Sequence, residues 1–411
     1  MLSADDGTED HATEWPLRGL DVANLRRSGW ASTPFRQFIL KVHGRCNLSC
    51  QYCYIYAMAD RSWSDKPAAM SAAVAGQAVR RIADHVSKHG LERIEVVFHG
   101  GEPLLSGPAP LVRIQGALQE LLPAHVTVDY TLQTNGVLLP AALNVLAEHG
   151  FRIGVSIDGT ARTHDRNRVY ANGRGSHDQV RQALTRLREE RYRHLFAGLL
   201  CVVDLDADPM LTYAALLEFE PPAIDFLLPL GNWEHPPPRP VAPDSGTAYG
   251  SWLVPIFERW YDAPRRETRI RLFEEIINMI LGGGSTVETV GLSPVGLVVI
   301  DTDGSIEQVD TLKSAFPGAP QTTLNVLEHD LDLALEHPAV AARQIGELAL
   351  SDVCKACPIH HVCGAGYYPH RYRPGSGFRN PSVYCADLGH LIRHIATRVI
   401  RDLATLRSSQ V

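Results

Sequence analysis

The chain has 411 residues and a formal charge of -7, with 45% hydrophobic and 21% charged residues. That length suits two domains, or one large barrel with an appendage, and the composition is that of an ordinary soluble globular protein. An acidic balance without a basic stripe argues against a general nucleic-acid binder. No apolar run reaches the eighteen or so residues that a transmembrane helix needs, so no membrane partner is expected.

The first residues, MLSADDGTEDHATEW, are acidic and polar where a signal peptide would be basic and then apolar, and they read as a mobile tail. Eight cysteines without a secretion signal read as metal ligands in a reducing compartment, so a cytoplasmic location is expected. From Phe38 to Asn232 apolar strand-like runs alternate with helical stretches. The strand candidates are FILKVH from Phe38, RIEVVFH from Arg93, VTVDYTLQT from Val126, RIGVSID from Arg152, FAGLLCVVD from Phe196 and AIDFLLPL from Ala223. Helical patterns begin between them at Ser71, Ala109, Ala142, Asp178 and Asp208. Continuous apolar strands separated by amphipathic helices indicate a parallel sheet covered by helices, in right-handed crossovers. The expected fold is therefore α/β, a partial (β/α)6 barrel with its site at the C-terminal strand ends.

Pro236 to Pro243 form a stiff linker. Two helices follow, from Thr247 and Arg269, and then a hairpin turning at Asp303-Gly304. The remaining cysteines precede a final helix from Asp387. Four regions result: an N-terminal extension over 1–35, the barrel over 36–235, linker and bridging helices over 236–285, and a cysteine-rich domain over 286–411.

Cys46, Cys50 and Cys53 lie in RCNLSCQYCY, just after the first strand. Three thiolates in one loop can hold three corners of a four-iron, four-sulfur cluster and leave the fourth iron open. A zinc loop is the competing reading, but structural zinc wants four ligands in paired spacings. The second strand ends in HGGEP. There Gly100 and Gly101 let the backbone approach a ligand closely, and Glu102 can accept from an ammonium group. The third strand ends in QTNG, where Gln133, Thr134 and Asn135 suit a ribose. The fourth ends in SIDGT and runs on to HDRNR, offering Ser156, Asp158 and Arg168; serine and a bidentate arginine suit a carboxylate. Tyr52 can offer its ring to a purine. Each polar residue alone could equally be a cap or a turn residue. Cys201, inside an apolar strand, reads as a buried thiol.

Cys-x3-Cys-x2-Cys with an aromatic before the last cysteine resembles the signature of radical S-adenosylmethionine enzymes. The resemblance implies that Glu102 in GGEP binds the amino group of that cofactor, and that a 5′-deoxyadenosyl radical removes hydrogen from an unactivated carbon. VCKACPIHHVCGAGYYPHRY resembles the C-terminal SPASM module of peptide-modifying members. On that resemblance Cys354, Cys357, Cys363 and Cys385 hold a complete auxiliary cluster, with zinc as the alternative. Two 4Fe-4S clusters are therefore expected, one radical and one auxiliary. The module's second auxiliary cluster is expected to be missing. Val309 stands in a ligand position, no cysteine lies in TVGLSPVG, and Tyr367 replaces a further ligand. Asp310 follows Val309 and corresponds to an aspartate that accepts a substrate proton in related enzymes, so it is the candidate general base; the alternative is a solvent-facing turn carboxylate.

TPFRQFILKVHGRCNLSCQYCYIY, with SIEQVDTLKSAF and NPSVYCADL, looks similar to the FxsB-type radical SAM maturases of ribosomal peptides. This resemblance implies a precursor peptide as partner and an external electron donor of the flavodoxin or ferredoxin type. The product implied is a three-residue cyclophane, an aromatic ring carbon joined to the β-carbon two residues later. Formylglycine or thioether formation, and a non-catalytic iron–sulfur peptide binder, are the alternatives. The roughly thirty-five residues before the first strand are too few for a winged-helix leader-binding domain. WPLRGLDVANLRRSGW is expected to pack on the barrel bottom rather than hold the peptide.

Overall fold

The computed structural model describes residues 14–240 and 245–408. The expected N-terminal tail, apart from its last two residues, and the last three residues of the proline-rich linker lie outside the described residues. All six expected strands form: β1 (Gln37–His43), β2 (Arg93–Gly100), β3 (Thr127–Thr134), β4 (Arg152–Ser156), β5 (Phe196–Val202) and β6 (Ala223–Leu227). They pair in parallel and in chain order. Helices α1 (Ala72–Lys88), α2 (Ala109–Leu121), α3 (Leu139–Glu148), α4 (Ala161–Asn167), α5 (His177–Leu187) and α6 (Pro209–Leu217) lie between the strands.

Period-two alternation divides each strand between two faces. Phe38, Leu40, Val42, Ile94, Val96, Phe98 and Leu132 are buried in one core with α1 residues Val74, Ala78, Ile82 and Val86. Gln37, Ile39, Val97, His99, Thr131 and Gln133, on the opposite face, are only half-buried. α1 starts where Ser71 accepts from the Val74 N–H, a capping bond worth about 1 kcal/mol.

The sheet is wider than the six units. β7 (Arg269–Ile270) extends it beyond β6, and β8 (Leu297–Ile300) pairs in parallel with the free edge of β1. β8 turns through Asp303-Gly304 into β9 (Ser305–Glu307), the expected hairpin, and β10 (Gln321–Asn325) completes a ten-stranded order β10-β9-β8-β1-β2-β3-β4-β5-β6-β7. The start of the C-terminal region is thus hydrogen-bonded into the barrel sheet. Helices α7 (Ala248–Tyr261) and α8 (Arg271–Ile280) pack on the final helix α9 (Cys385–Ser408). Asp387 at the head of α9 accepts from the backbone N–H groups of Tyr249 and Gly250 and so caps α7.

The N-terminal stretch, expected on the barrel bottom, packs on the C-terminal region instead. The Phe378 N–H donates to the Trp15 carbonyl, Arg26 pairs with Glu336, and Thr33 exchanges hydrogen bonds with Gln344. His85, His89 and Asp332 bring three ligand-type atoms within 4.8 Å of one another. The Phe35 N–H donates to His85 Nε2, so the His85 proton sits on Nδ1, which faces Asp332. A proton on that nitrogen makes the trio a hydrogen-bonded staple between α1 and the C-terminal region, not a metal site. No helix among the described residues is long and apolar enough to cross a membrane.

Candidate active site

The loop after β1 carries Cys46, Cys50 and Cys53 at the C-terminal end of the sheet. Burial pushes the Cys46 thiol up to about 12, with Glu102 and the two neighbouring cysteines adding to the rise. Cys50 and Cys53 are raised too, mainly by burial. Three crowded, desolvated thiols ionise readily only beside positive charge, which bound iron provides. Cys46 Sγ is already engaged by the Leu48 N–H at 3.4 Å and by Asn135 Nδ2 at 3.6 Å.

The two glycines of HGGEP serve a contact that sequence reasoning assigned to a ligand. The Gly101 N–H donates to the His43 carbonyl and the Glu102 N–H to the Arg45 carbonyl, so β2 continues along the root of the cysteine loop. A Cβ on Gly100, whose φ is +139°, would collide with the His43 carbonyl; one on Gly101 would strike the Tyr56 hydroxyl and lie 2.5 Å from the Arg45 carbonyl. The close approach is backbone to backbone. Gly101→Ala should therefore cost about 3 kcal/mol and lower the thermal midpoint of the protein. An unchanged midpoint would mean that the loop yields.

Glu102 is fully buried. One oxygen accepts from the Leu104 N–H and Thr134 Oγ1, and the other from the Asn135 N–H, tying the ends of β2 and β3 together. A carboxylate has about four acceptor positions, so one remains. Burial pushes its pKa up against those three bonds. Ser156 Oγ accepts from Gln133 Nε2 at 3.0 Å, and among the described residues its own hydrogen meets no acceptor. Asn135 Nδ2 also reaches Asn47 at 2.8 Å.

Tyr52 was expected to present its ring, and the structure also engages its hydroxyl. Arg168 Nη1 donates to that hydroxyl at 2.8 Å, and the hydroxyl donates to Asp158. The other Asp158 oxygen accepts from the Val202 N–H. Asp158 is thus a strut within the protein. Arg168 Nε is buried without a partner. Burial works against the Arg168 charge, but Tyr52, Asp158 and Cys50 outweigh it. An unpaired guanidinium donor, a serine hydroxyl and one spare glutamate position make a donor and acceptor set that fits an amino-acid zwitterion beside the cysteine loop.

Asp310 is not a solvent-facing turn residue; it is 4% exposed. Lys41 Nζ lies 3.3 Å from one of its oxygens and His99 Nδ1 3.9 Å from the other, yet neither oxygen accepts a hydrogen bond. Registers explain the meeting: Lys41 pairs with His99 across β1 and β2, and Leu40 with Ile300 across β1 and β8, which sets Asp301 beside Lys41. Burial opposes the Lys41 charge, but Asp310, Asp301 and Glu307 hold its pKa well above the usual lysine value. Burial lowers that of His99. Lys41 and His99 were not singled out from the sequence, although a lysine inside the apolar run FILKVH was a visible signal.

Cys354, Cys357, Cys363 and Cys385 come together, and Cys363 is pushed up to about 12 by burial and by Cys385 and Cys354. Four thiols in one place satisfy either a zinc ion or a four-iron cluster. The positions of the expected missing ligands are occupied by packed side chains. Val309 joins a core of Leu312, Tyr368, Tyr372 and Phe378, and the Tyr367 hydroxyl bonds Thr311 Oγ1 at 2.5 Å. Cys201 is buried, as expected.

Residues 40–211 match the model of the Radical SAM superfamily, and this part of the chain is a Radical SAM domain. The chain is 23% identical over 352 residues to a cysteine-type anaerobic sulfatase-maturating enzyme of Clostridium novyi, covering 83% of this chain and 89% of the relative. It is 26% identical over 354 residues to a serine-type anaerobic sulfatase-maturating enzyme of Klebsiella aerogenes, covering 84% and 82%. Among solved structures, anSMEcpe with bound AdoMet superposes with a TM-score of 0.74 at 21% identity, over 90% of this chain and 98% of the other. Streptococcus suis SuiB bound to precursor peptide SuiA gives 0.58 at 14%, over 88% and 78%.

Proposed function

We propose that this protein is a radical S-adenosylmethionine enzyme that modifies a ribosomally made precursor peptide, joining an aromatic ring carbon to the β-carbon of the residue two positions later. The observation that carries the reading is the buried Asp310, which accepts no hydrogen bond and lies 3.3 Å from Lys41 on β1, the strand that leads into the three-cysteine loop. Cys46, Cys50 and Cys53 would hold the radical cluster, and Cys354, Cys357, Cys363 and Cys385 an auxiliary one. Once bound, the radical cluster and S-adenosylmethionine supply one-electron cleavage to a 5′-deoxyadenosyl radical that abstracts a hydrogen atom.

The protein's own residues do the rest. Glu102 takes the cofactor's ammonium, and Ser156 and Arg168 its carboxylate. Gln133 and Asn135 border the ribose, with Tyr52 and Asp158 holding Arg168 in place. Crosslinking removes two hydrogens from the peptide, one as an atom and one as a proton plus an electron. The proton goes to Asp310, whose oxygens have no hydrogen bond to lose. The electron would return to the radical cluster or leave through the auxiliary cluster. With Val309 and Tyr367 where the resemblance implies ligand positions, a second auxiliary cluster would lack its cysteines and a peptide thiol would have no iron there to ligate, which disfavours thioether formation.

Formylglycine formation is the second reading, favoured by similarity to sulfatase-maturating enzymes over four-fifths of the chain. Anaerobic incubation with reductant, S-adenosylmethionine and the peptide encoded beside the gene, followed by tandem mass spectrometry, separates the two. Loss of two hydrogens with fragmentation suppressed between an aromatic residue and the third residue along supports the crosslink. A modified single cysteine or serine, without such suppression, replaces it with the second reading. Cys357→Ala should lower bound iron from about eight atoms per chain to about four; zinc in the wild-type protein would sink the auxiliary-cluster assignment.

A further inference from the structure

Behind the pocket residues lies a fully buried histidine, His164 on α4, to which the proposed function gives no role. Its hydrogen bonds fix its tautomer. The Asp158 N–H donates to Nδ1 at 3.3 Å, so Nδ1 carries the lone pair. The proton therefore sits on Nε2 and goes to Ser176 Oγ, 2.9 Å away. The Ser176 hydroxyl spends its own hydrogen on the Arg168 carbonyl at 2.7 Å. Arg168 then donates to Tyr52 and Tyr52 to Asp158, which closes a ring of five residues. Burial, with help from Arg168, pushes the His164 pKa down to about 2, so the neutral tautomer persists at any working pH. The same turn holds the cysteine loop: the Ser49 N–H donates to the Val169 carbonyl and the Gln51 N–H to the Asn167 carbonyl.

We infer that His164 and Ser176 are positioning residues of the cofactor pocket, fixing the peptide units of Asp158 and Arg168 so that the unpaired Arg168 Nε faces the carboxylate of S-adenosylmethionine. This rests on the reading that Arg168 binds that carboxylate. A satisfied, closed network of this kind restricts its members more than separate bonds would. The residues that orient a site's ligands commonly contribute ten- to hundredfold to affinity.

The test is calorimetric binding of S-adenosylmethionine to the anaerobically reconstituted holoprotein, with iron content and circular dichroism measured alongside. Ser176→Ala and His164→Asn each cut the circuit; the asparagine keeps an acceptor for the Asp158 N–H but is too short to reach Ser176. Each should raise the dissociation constant about tenfold with iron and spectrum unchanged, and should leave kcat at saturating cofactor within about twofold. The effects of Ser176→Ala and Arg168→Lys should be strongly non-additive, because both act through one guanidinium. Unchanged affinity in either folded, iron-loaded variant, or strict additivity with Arg168→Lys, would overturn the inference while leaving the pocket assignment standing. Unchanged affinity in Arg168→Lys itself would overturn the pocket assignment.

Discussion

Asp310→Asn should lower crosslinked product by about 10²- to 10⁴-fold, the usual range for loss of a general base, while deoxyadenosine continues to form. The split is the informative part. On the proposed reading, cofactor binding and cleavage depend on residues at other strand ends, so removing the base would interrupt only the later proton transfer. The fold should tolerate the change. Lys41, Lys66 and Lys313 face four buried carboxylates, Asp60, Asp301, Glu307 and Asp310, so neutralising one leaves three against three. Lys41 keeps its 2.8 Å contact with Asp301. Stranding a buried charge is what makes such substitutions costly, and here no charge is stranded. The ratio of deoxyadenosine to crosslinked peptide, read by mass spectrometry, decides the matter. A wild-type ratio in Asp310→Asn would remove it as the base and direct attention to His99.

Cys50→Ala should abolish both products, to background, with about four irons lost per chain. A cluster held at two corners is not kept in register with the cofactor pocket. Cys50 is only half-buried on a loop, so the thermal midpoint of the iron-free protein should barely move. That separates a chemical defect from a folding defect. Deoxyadenosine production that survives Cys50→Ala would end the radical reading. The contrast with Cys357→Ala matters equally, because loss of the auxiliary set should leave the first cofactor cleavage intact.

The candidate site was partly legible in the sequence. The seven candidate ligand cysteines, Glu102, Ser156, Asp158 and Arg168 were nameable because nearly all stand at a strand end or in a short spaced motif. What those residues touch was less legible. Glu102 spends three acceptor positions on the protein itself, and Gly101 faces Arg45 and Tyr56. Asp310 looked as much like a surface turn residue as a base, because its neighbours Lys41 and His99 are far away in the chain. His164 drew no reading of its own although it opens HDRNR, since its ring partners, the Asp158 N–H and Ser176 Oγ, lie beyond the two ends of its helix.

By itself the sequence determined the six strand–helix units, the hairpin at Asp303-Gly304 and the two cysteine sets. Those signals act over a few residues: alternation decides which face of a strand is buried, and glycine permits the φ of +86° that the turn at Gly304 needs. Only the tertiary structure decided that β8 joins the free edge of β1, that Asp301 and Asp310 converge on Lys41, and that Val309 and Tyr367 sit in packed protein. Parallel pairing between distant segments leaves no local mark, because its register is set by which side chains bury together once the whole sheet has formed.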